Sequence, residues 1–233
     1  MSSLTNDSWM ERARREVPPR KLAKQLAIVR AACGVFGREG YTRAPVDAIA
    51  AAAGVSTRTL YNHFPGGKAL VFRTVITWTA NEVREAQLER LRAVLDPERP
   101  PHPDTLERDL VALARAFAAL VADYPDHFAL VRHIHAEVEH LPEETLTAWQ
   151  EAGPLPVATA LTAAFAELEK GDGLLDLHGD PALAAVHFVA LTSATIVQRS
   201  HYGVRPLPEA ENDRLLRGGV AAFLRAYRRT GGR

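Results

Sequence analysis

Six polar side chains fall within one short stretch: Thr57, Arg58, Thr59, Tyr61, Asn62 and His63. Among them sit Leu60 and, directly after them, Phe64. Residues four apart share one face of a helix. Leu60 and Phe64 are thus expected inside, with the polar set left on the outer side and around the helix start. Hydroxyls, a guanidinium, a phenol, an amide and an imidazole together can bind phosphate oxygens and base edges alike.

The residues just before supply the support such a helix needs. Ala50 and Ala53 are small enough for two helices to cross closely. Gly54 takes a positive φ at no steric cost and ends the first helix. Val55 plugs the turn, and the Ser56 hydroxyl caps the next helix by accepting an orphan N–H. Helix, tight turn, helix is the arrangement in which the second helix enters the major groove with its N-terminal residues on base edges.

The wider segment, from about Lys21 to Val75, resembles the DNA-binding domain of the TetR (tetracycline repressor) family. Ile28-Val29-Arg30-Ala31-Ala32, Val35-Phe36 and Glu39-Gly40-Tyr41 resemble its first helix and Gly-aromatic stop. Val46-Asp47-Ala48-Ile49-Ala50 with Ala53-Gly54-Val55-Ser56 resembles the second helix and turn. Leu60-Tyr61-Asn62-His63-Phe64 and then Lys68 resemble the recognition helix and the start of the fourth. The resemblance implies DNA contacts at Thr42, Arg43, Thr57, Arg58, Thr59, Tyr61, Asn62, His63 and Lys68. Tyr61 and Lys68 are expected on phosphates, and Thr57, Arg58 and His63 nearest base edges.

Two departures from the family pattern stand out. Ala44 and Pro45 occupy positions where members usually carry Thr or Ser. Proline suits a first helical turn, where its missing N–H would be unpaired anyway. The N–H groups of Val46 and Asp47 remain for a phosphate, although Asp47 opposes one. Thr42 and Arg43 are candidates to replace the lost hydroxyl. The loop Pro65-Gly66-Gly67-Lys68 is also one residue longer than the common form.

The charge distribution fits a head that meets phosphate. The chain of 233 residues has a net charge of zero. Residues 1–75 hold 12 Lys and Arg against 5 Asp and Glu, and residues 76–233 hold 16 against 23. A basic head on an acidic body is the footprint of nucleic-acid binding in one part only. The lone Cys33 excludes an intramolecular disulfide and argues for a reducing compartment. Met1 to Pro19 is polar, unlike a signal peptide, and no apolar run is expected to span a membrane. The expected location is cytoplasmic.

These observations imply an all-α chain. Residues 1–19 form a basic arm with Arg12, Arg14 and Arg15, followed by Arg20 and Lys21. Residues 20–66 form a three-helix DNA-binding domain, and 67–233 a helical ligand-binding and dimerisation domain. The fourth helix is expected to run to about Leu95, before a Pro-rich linker over 96–103. Asp104 is expected to cap a helix bearing Leu106, Leu110, Leu113, Phe117 and Leu120. Pro125 ends it; later helices are expected to about Pro142, over 143–152 and 156–170, then over 181–202 and 208–229. Gly171-Asp172-Gly173 is read as a stop.

The body resembles, more loosely, the C-terminal domain of AefR-like members of the same family. Leu130-Val131-Arg132, Ala136-Glu137, Leu141-Pro142 and Ala148-Trp149-Gln150-Glu151-Ala152-Gly153-Pro154 carry the likeness, with Asp180-Pro181, Ala184-Ala185 and Phe188. The resemblance implies a ligand cavity without naming its ligand. Candidates to line it are Trp78, Phe117, Tyr124, Phe128, Arg132, His135, Trp149 and Phe165. Small residues on the last two helices (Ala182, Ala185, Ala190, Ser193 and Ala194; Gly218, Gly219, Ala221 and Ala222) suit either a homodimer surface or internal packing. Two helix-turn-helix heads on a dimer favour the first.

His127, His133, His135 and His140 crowd one stretch with Glu137 and Glu139. The i,i+4 pairs His133/Glu137 and His135/Glu139 each share a face, but no three-ligand face forms within one helix. No metal or cofactor is expected. The sequence lacks a Gly-x-Ser-x-Gly elbow, a phosphate-cradling loop and a His-Glu-x-x-His helix. Three functions remain open. The first is a ligand-responsive regulator, foremost a repressor, on double-stranded operator DNA. The others are a DNA-binding protein without effector, and a metal-using enzyme or sensor through the histidines.

Overall fold

The computed structural model describes residues 19–96, 98–170 and 173–229. The arm over 1–18 and the Gly171-Asp172 part of the expected stop lie outside them. Eleven α-helices follow one another among the described residues, and no strand does. They are α1 (Pro19–Arg43), α2 (Val46–Ala52), α3 (Thr57–His63), α4 (Gly67–Val94), α5 (Leu106–Asp123) and α6 (Pro125–Ala136). Then come α7 (Glu143–Ala152), α8 (Pro154–Glu169), α9 (Pro181–Leu191), α10 (Ser193–Arg199) and α11 (Glu209–Tyr227). A single 3₁₀ turn, Val138–His140, lies between α6 and α7. The chain is all-α, as its periodicity requires.

Packing divides these helices into two compact units. The described residues up to Glu82 with Ala129–Gly153 form the first, and Val83–Phe128 with those from Pro154 onward form the second. This division by packing differs from the division by motif at residue 66/67.

The first unit is built on apolar faces of α1 to α4. Ile28, Ala32, Phe36, Ile49, Leu60 and Phe72 are buried there. The Phe36 and Phe72 rings meet edge-on at 4.9 Å, and Tyr41 joins them at 5.0 Å from Phe72. Helix α1 is interrupted at Gly40, whose φ of 79° and ψ of 177° are non-helical. That is the expected Gly-aromatic stop, with one more turn after it.

The second unit has its core around three aromatic rings. Phe165, Phe188 and Phe223 are fully buried, with neighbouring centroids 5.4 Å apart. Leu106, Leu110, Leu113, Leu161, Leu216 and Val220 surround them. Burial of this much apolar side chain is the main force holding the unit together.

Three expectations need correction. Asp104 does not cap α5: Thr105 takes the N-cap position with no side-chain cap bond, and its hydroxyl donates to Asp109 at 2.7 Å. The helix expected over 181–202 is broken at Thr192 (φ −122°, ψ −102°) into α9 and α10. The break sets the Leu191 carbonyl so close to α11 that a Cβ on Gly219 would lie 2.0 Å from it. Only glycine permits that approach. Finally, one stretch among the described residues is apolar and long enough to cross a membrane by length and composition. Pro181–Arg199 spans 19 residues and holds an 18-residue window with a mean hydropathy of 1.4. It contains the break at Thr192.

Candidate nucleic-acid interface

Helix α2 starts after Pro45, which stands at the N-cap position with φ −77° and ψ 139° rather than inside the first turn. The turn follows the expected pattern. Gly54 has φ 65°, and the Val55 N–H donates to the Ala50 carbonyl at 3.0 Å. Ser56 caps α3, its Oγ accepting from the Thr59 N–H at 3.1 Å. Leu60 and Phe64 are buried beneath, as their spacing requires.

The polar residues of α3 divide by what they touch. Arg58, Tyr61 and Asn62 are exposed. Thr57 is half-buried, and its hydroxyl donates to Asp47 Oδ1 at 2.8 Å. This bond ties α2 to α3 and occupies the carboxylate that opposes a phosphate. The Thr59 hydroxyl shares a 2.9 Å bond with Ser56 Oγ. His63 is half-buried, with Nδ1 unpartnered. Burial, then the nearby Lys21 and Lys24, lower its pKa. The imidazole therefore favours its neutral form.

Thr42, Arg43 and Lys68 meet at the entrance to α2. Thr42 and Arg43 are exposed, and Arg43 Nε donates to the Glu39 carbonyl at 3.2 Å. Lys68 Nζ donates to the carbonyls of Thr42 at 3.0 Å and Ala44 at 3.2 Å. Its ammonium also lies 5.0 Å from the centre of the Tyr41 ring, a cation–π distance. Burial raises the Tyr41 pKa. Lys68 thus holds the backbone on which Thr42 and Arg43 are presented.

The other side of the same backbone is held by α6. Glu137, just past its end, accepts from the Thr42 N–H at 2.6 Å. His133 Nε2 bonds to the Gly37 carbonyl at 3.1 Å, and its Nδ1 is 3.5 Å from Glu137 Oε1. Gly40 allows this approach: a Cβ there would meet Glu137 Oε1 at 1.9 Å. His133 and Glu137, an i,i+4 pair whose spacing alone could suit a metal ion, both hold this backbone. Their partners lie 95 and 96 residues away, which no local pattern discloses. Among the described residues no cluster of three His, Cys, Asp or Glu side chains suits a metal ion.

The residues expected around a ligand fall in both units. Trp78, Arg132, His135 and Trp149 belong to the first, and Phe117, Tyr124, Phe128 and Phe165 to the second. In the first, the His135 and Trp149 rings meet edge-on at 6.0 Å. The indole Nε1 atoms of Trp78 and Trp149 are both buried without a hydrogen-bond partner. In the second, Phe165 is part of the aromatic core, Phe117 is buried beside it, and Tyr124 and Phe128 are half-buried.

The model of bacterial regulatory proteins of the tetR family matches residues 28–74. The model of the AefR-like transcriptional repressor C-terminal domain matches residues 108–229, more than half of the chain. The chain belongs to the TetR family. Its C-terminal domain is of the AefR-like kind, and the basic head is the DNA-binding domain of a TetR-family transcriptional regulator. No curated protein matches.

Solved structures of TetR proteins share the fold. One is assigned to the family from Mesorhizobium loti MAFF303099. It is 28% identical, with a TM-score of 0.75, covering 91% of this chain and 100% of that one. The flavonoid-responsive regulator FrrA is 26% identical, with a TM-score of 0.63 over 88% and 97%. SmeT in complex with triclosan is 21% identical, with a TM-score of 0.61 over 90% and 93%; SmeT is the repressor of a Stenotrophomonas maltophilia multidrug efflux pump.

Proposed function

We propose that this TetR-family regulator is a cytoplasmic repressor that binds a palindromic operator as a homodimer and is released by a small, mostly apolar ligand. The observation that carries the DNA reading is the exposed trio Arg58, Tyr61 and Asn62 on the capped helix α3. Arg58 reads a base edge, while Tyr61, Thr42, Arg43 and Lys68 serve the phosphates. For Lys68 this means sharing its ammonium between carbonyls and an anion.

TetR regulators bind operators as dimers. Leu183, Val186 and Leu191 of α9 are exposed in this chain, Val186 by 61%. On α11, Gly218 faces open space. A second copy covering these residues removes apolar surface from water and sets two α3 helices for two half-sites.

The ligand reading rests on the unpartnered indole N–H groups of Trp78 and Trp149. A buried donor left unpaired is costly, and an acceptor atom on a ligand relieves that cost. The flavonoid response of FrrA supports testing flavonoids first.

The test begins by selecting duplexes from a random library with the full-length protein. A palindromic consensus is expected, and its complex should dissociate when a flavonoid panel is titrated in. Trp149→Phe should weaken that response, with operator affinity unchanged. A selected duplex that no compound displaces leaves DNA binding standing and removes the effector.

A further inference from the structure

We propose that the second unit carries a separate binding cavity, between α5, α10 and α11, for a small apolar molecule bearing one protonated amine. The cavity has a volume of about 930 Å³, in the range that holds small ligands. Residues of the loop over 203–207 complete its wall.

Its shape comes from small residues on one helix and an unusual loop. Ala118, Ala119 and Ala122 of α5 leave the space, and Ile196 and Leu216 give it an apolar floor. Beyond α10 the backbone runs through three successive left-handed residues, His201 (φ 50°), Tyr202 (φ 57°) and Gly203 (φ 86°). Two of these are not glycine, a conformation that needs support from its surroundings. Bonds from Tyr202 N to the Val197 carbonyl (2.8 Å) and from Arg205 N to the Ser200 carbonyl (2.9 Å) give it. The fold thus holds this wall open at some conformational cost.

The polar lining selects the ligand. Asp213 is taken, since it pairs with both Arg115 and Arg217. That pairing also occupies Arg115, the cation in the lining. Glu209 lines the cavity with no ion-pair partner among the described residues, and Asn212 lines it with a buried, unpartnered Oδ1. Both groups accept hydrogen bonds. An ammonium on an apolar body supplies donors and the opposite charge.

The cavity lies apart from the surface assigned to the partner copy. Leu216 and Gly218 are two apart on α11, on opposite sides of that helix. It also shares no residue with Trp78 or Trp149.

Calorimetric titration of the full-length protein with 1-naphthylmethylamine and 1-naphthylacetate tests this. The two probes share an apolar body and differ in charge at pH 7. The amine is expected to bind about tenfold more tightly than the acetate. Glu209→Gln should weaken the amine by about fivefold, the scale of an exposed ion pair, and narrow the difference between probes. Ala119→Phe and Ala122→Phe alter exposed positions that line the cavity; each should abolish binding. Trp149→Phe should leave it intact. No binding of the amine, equal or tighter binding of the acetate, or binding that survives both Phe variants overturns the proposal. So does loss of binding in Trp149→Phe.

Discussion

Glu137 accepts a 2.6 Å hydrogen bond from the Thr42 N–H, and Lys68 donates a 3.0 Å bond to the Thr42 carbonyl. The peptide groups at the entrance to the helix-turn-helix are therefore held from both sides by charged side chains. Hydrogen bonds to charged groups contribute about 1.5–3 kcal/mol. Glu137→Ala should lower unfolding free energy by about that amount and speed amide exchange at Thr42. Glu137→Gln, which keeps an acceptor oxygen, should lose less. Equal losses for both variants would show that the carboxylate charge, not the accepted bond, matters at Thr42.

Gly40→Ala should be more damaging than either. The new Cβ would meet Glu137 Oε1 at 1.9 Å and His133 Nδ1 at 2.8 Å, on a backbone of φ 79°. A loss of at least about 1–3 kcal/mol is expected from strain alone. A denaturation midpoint within error of the parent's would contradict the close packing described.

Acid should destabilise the protein in two steps. His127 is 8% exposed, and burial lowers its pKa from 6.5 to about 4. The unfolded chain then binds more protons between those values, so stability is full above 6.5 and falls as pH drops toward 4. The span corresponds to about 3 kcal/mol. Glu137 acts at lower pH. Desolvation raises its pKa, but bonds from Thr42 and the nearby His133 and Arg43 bring it below 4.5. Its contribution is present above 4.5 and lost as pH falls through the lower folded value. Chemical denaturation from pH 7 to 3 should show both steps. His127→Phe should flatten the first and leave the second.

The dimer assignment is tested by charge on an exposed apolar face. Val186→Glu places a carboxylate where a partner copy would bury it. Sedimentation should show the parent as a dimer and the variant shifted toward monomer, with an unchanged helical spectrum. A parent that sediments as a monomer at micromolar concentration would remove the dimer surface.

Local rules made the head legible. Ser56 caps α3, Gly54 turns the chain, and Leu60 and Phe64 are buried as a four-residue spacing demands. Contacts between distant segments were not legible. The break at Thr192 arises where Leu191 passes over Gly219, and nothing in Leu-Thr-Ser announces it. Thr57 and His63 have the composition of base readers, yet one bonds to Asp47 and the other is turned partly inward. Which polar side chains of a helix are free depends on the helices beside it. Glu137 is the extreme case, since its role exists only once α6 lies against α1.

The most direct test of the account is a fluorescence-anisotropy titration of the selected palindromic duplex with the parent protein and Arg58→Ala. Single-base variants of each half-site are titrated in parallel. Arg58→Ala should cost about 1–3 kcal/mol on the selected duplex. It should also erase the preference at one base pair per half-site, while affinity for unrelated duplexes stays unchanged. An equal loss on every duplex, or no loss on the selected one, would contradict the claim that α3 reads sequence through Arg58.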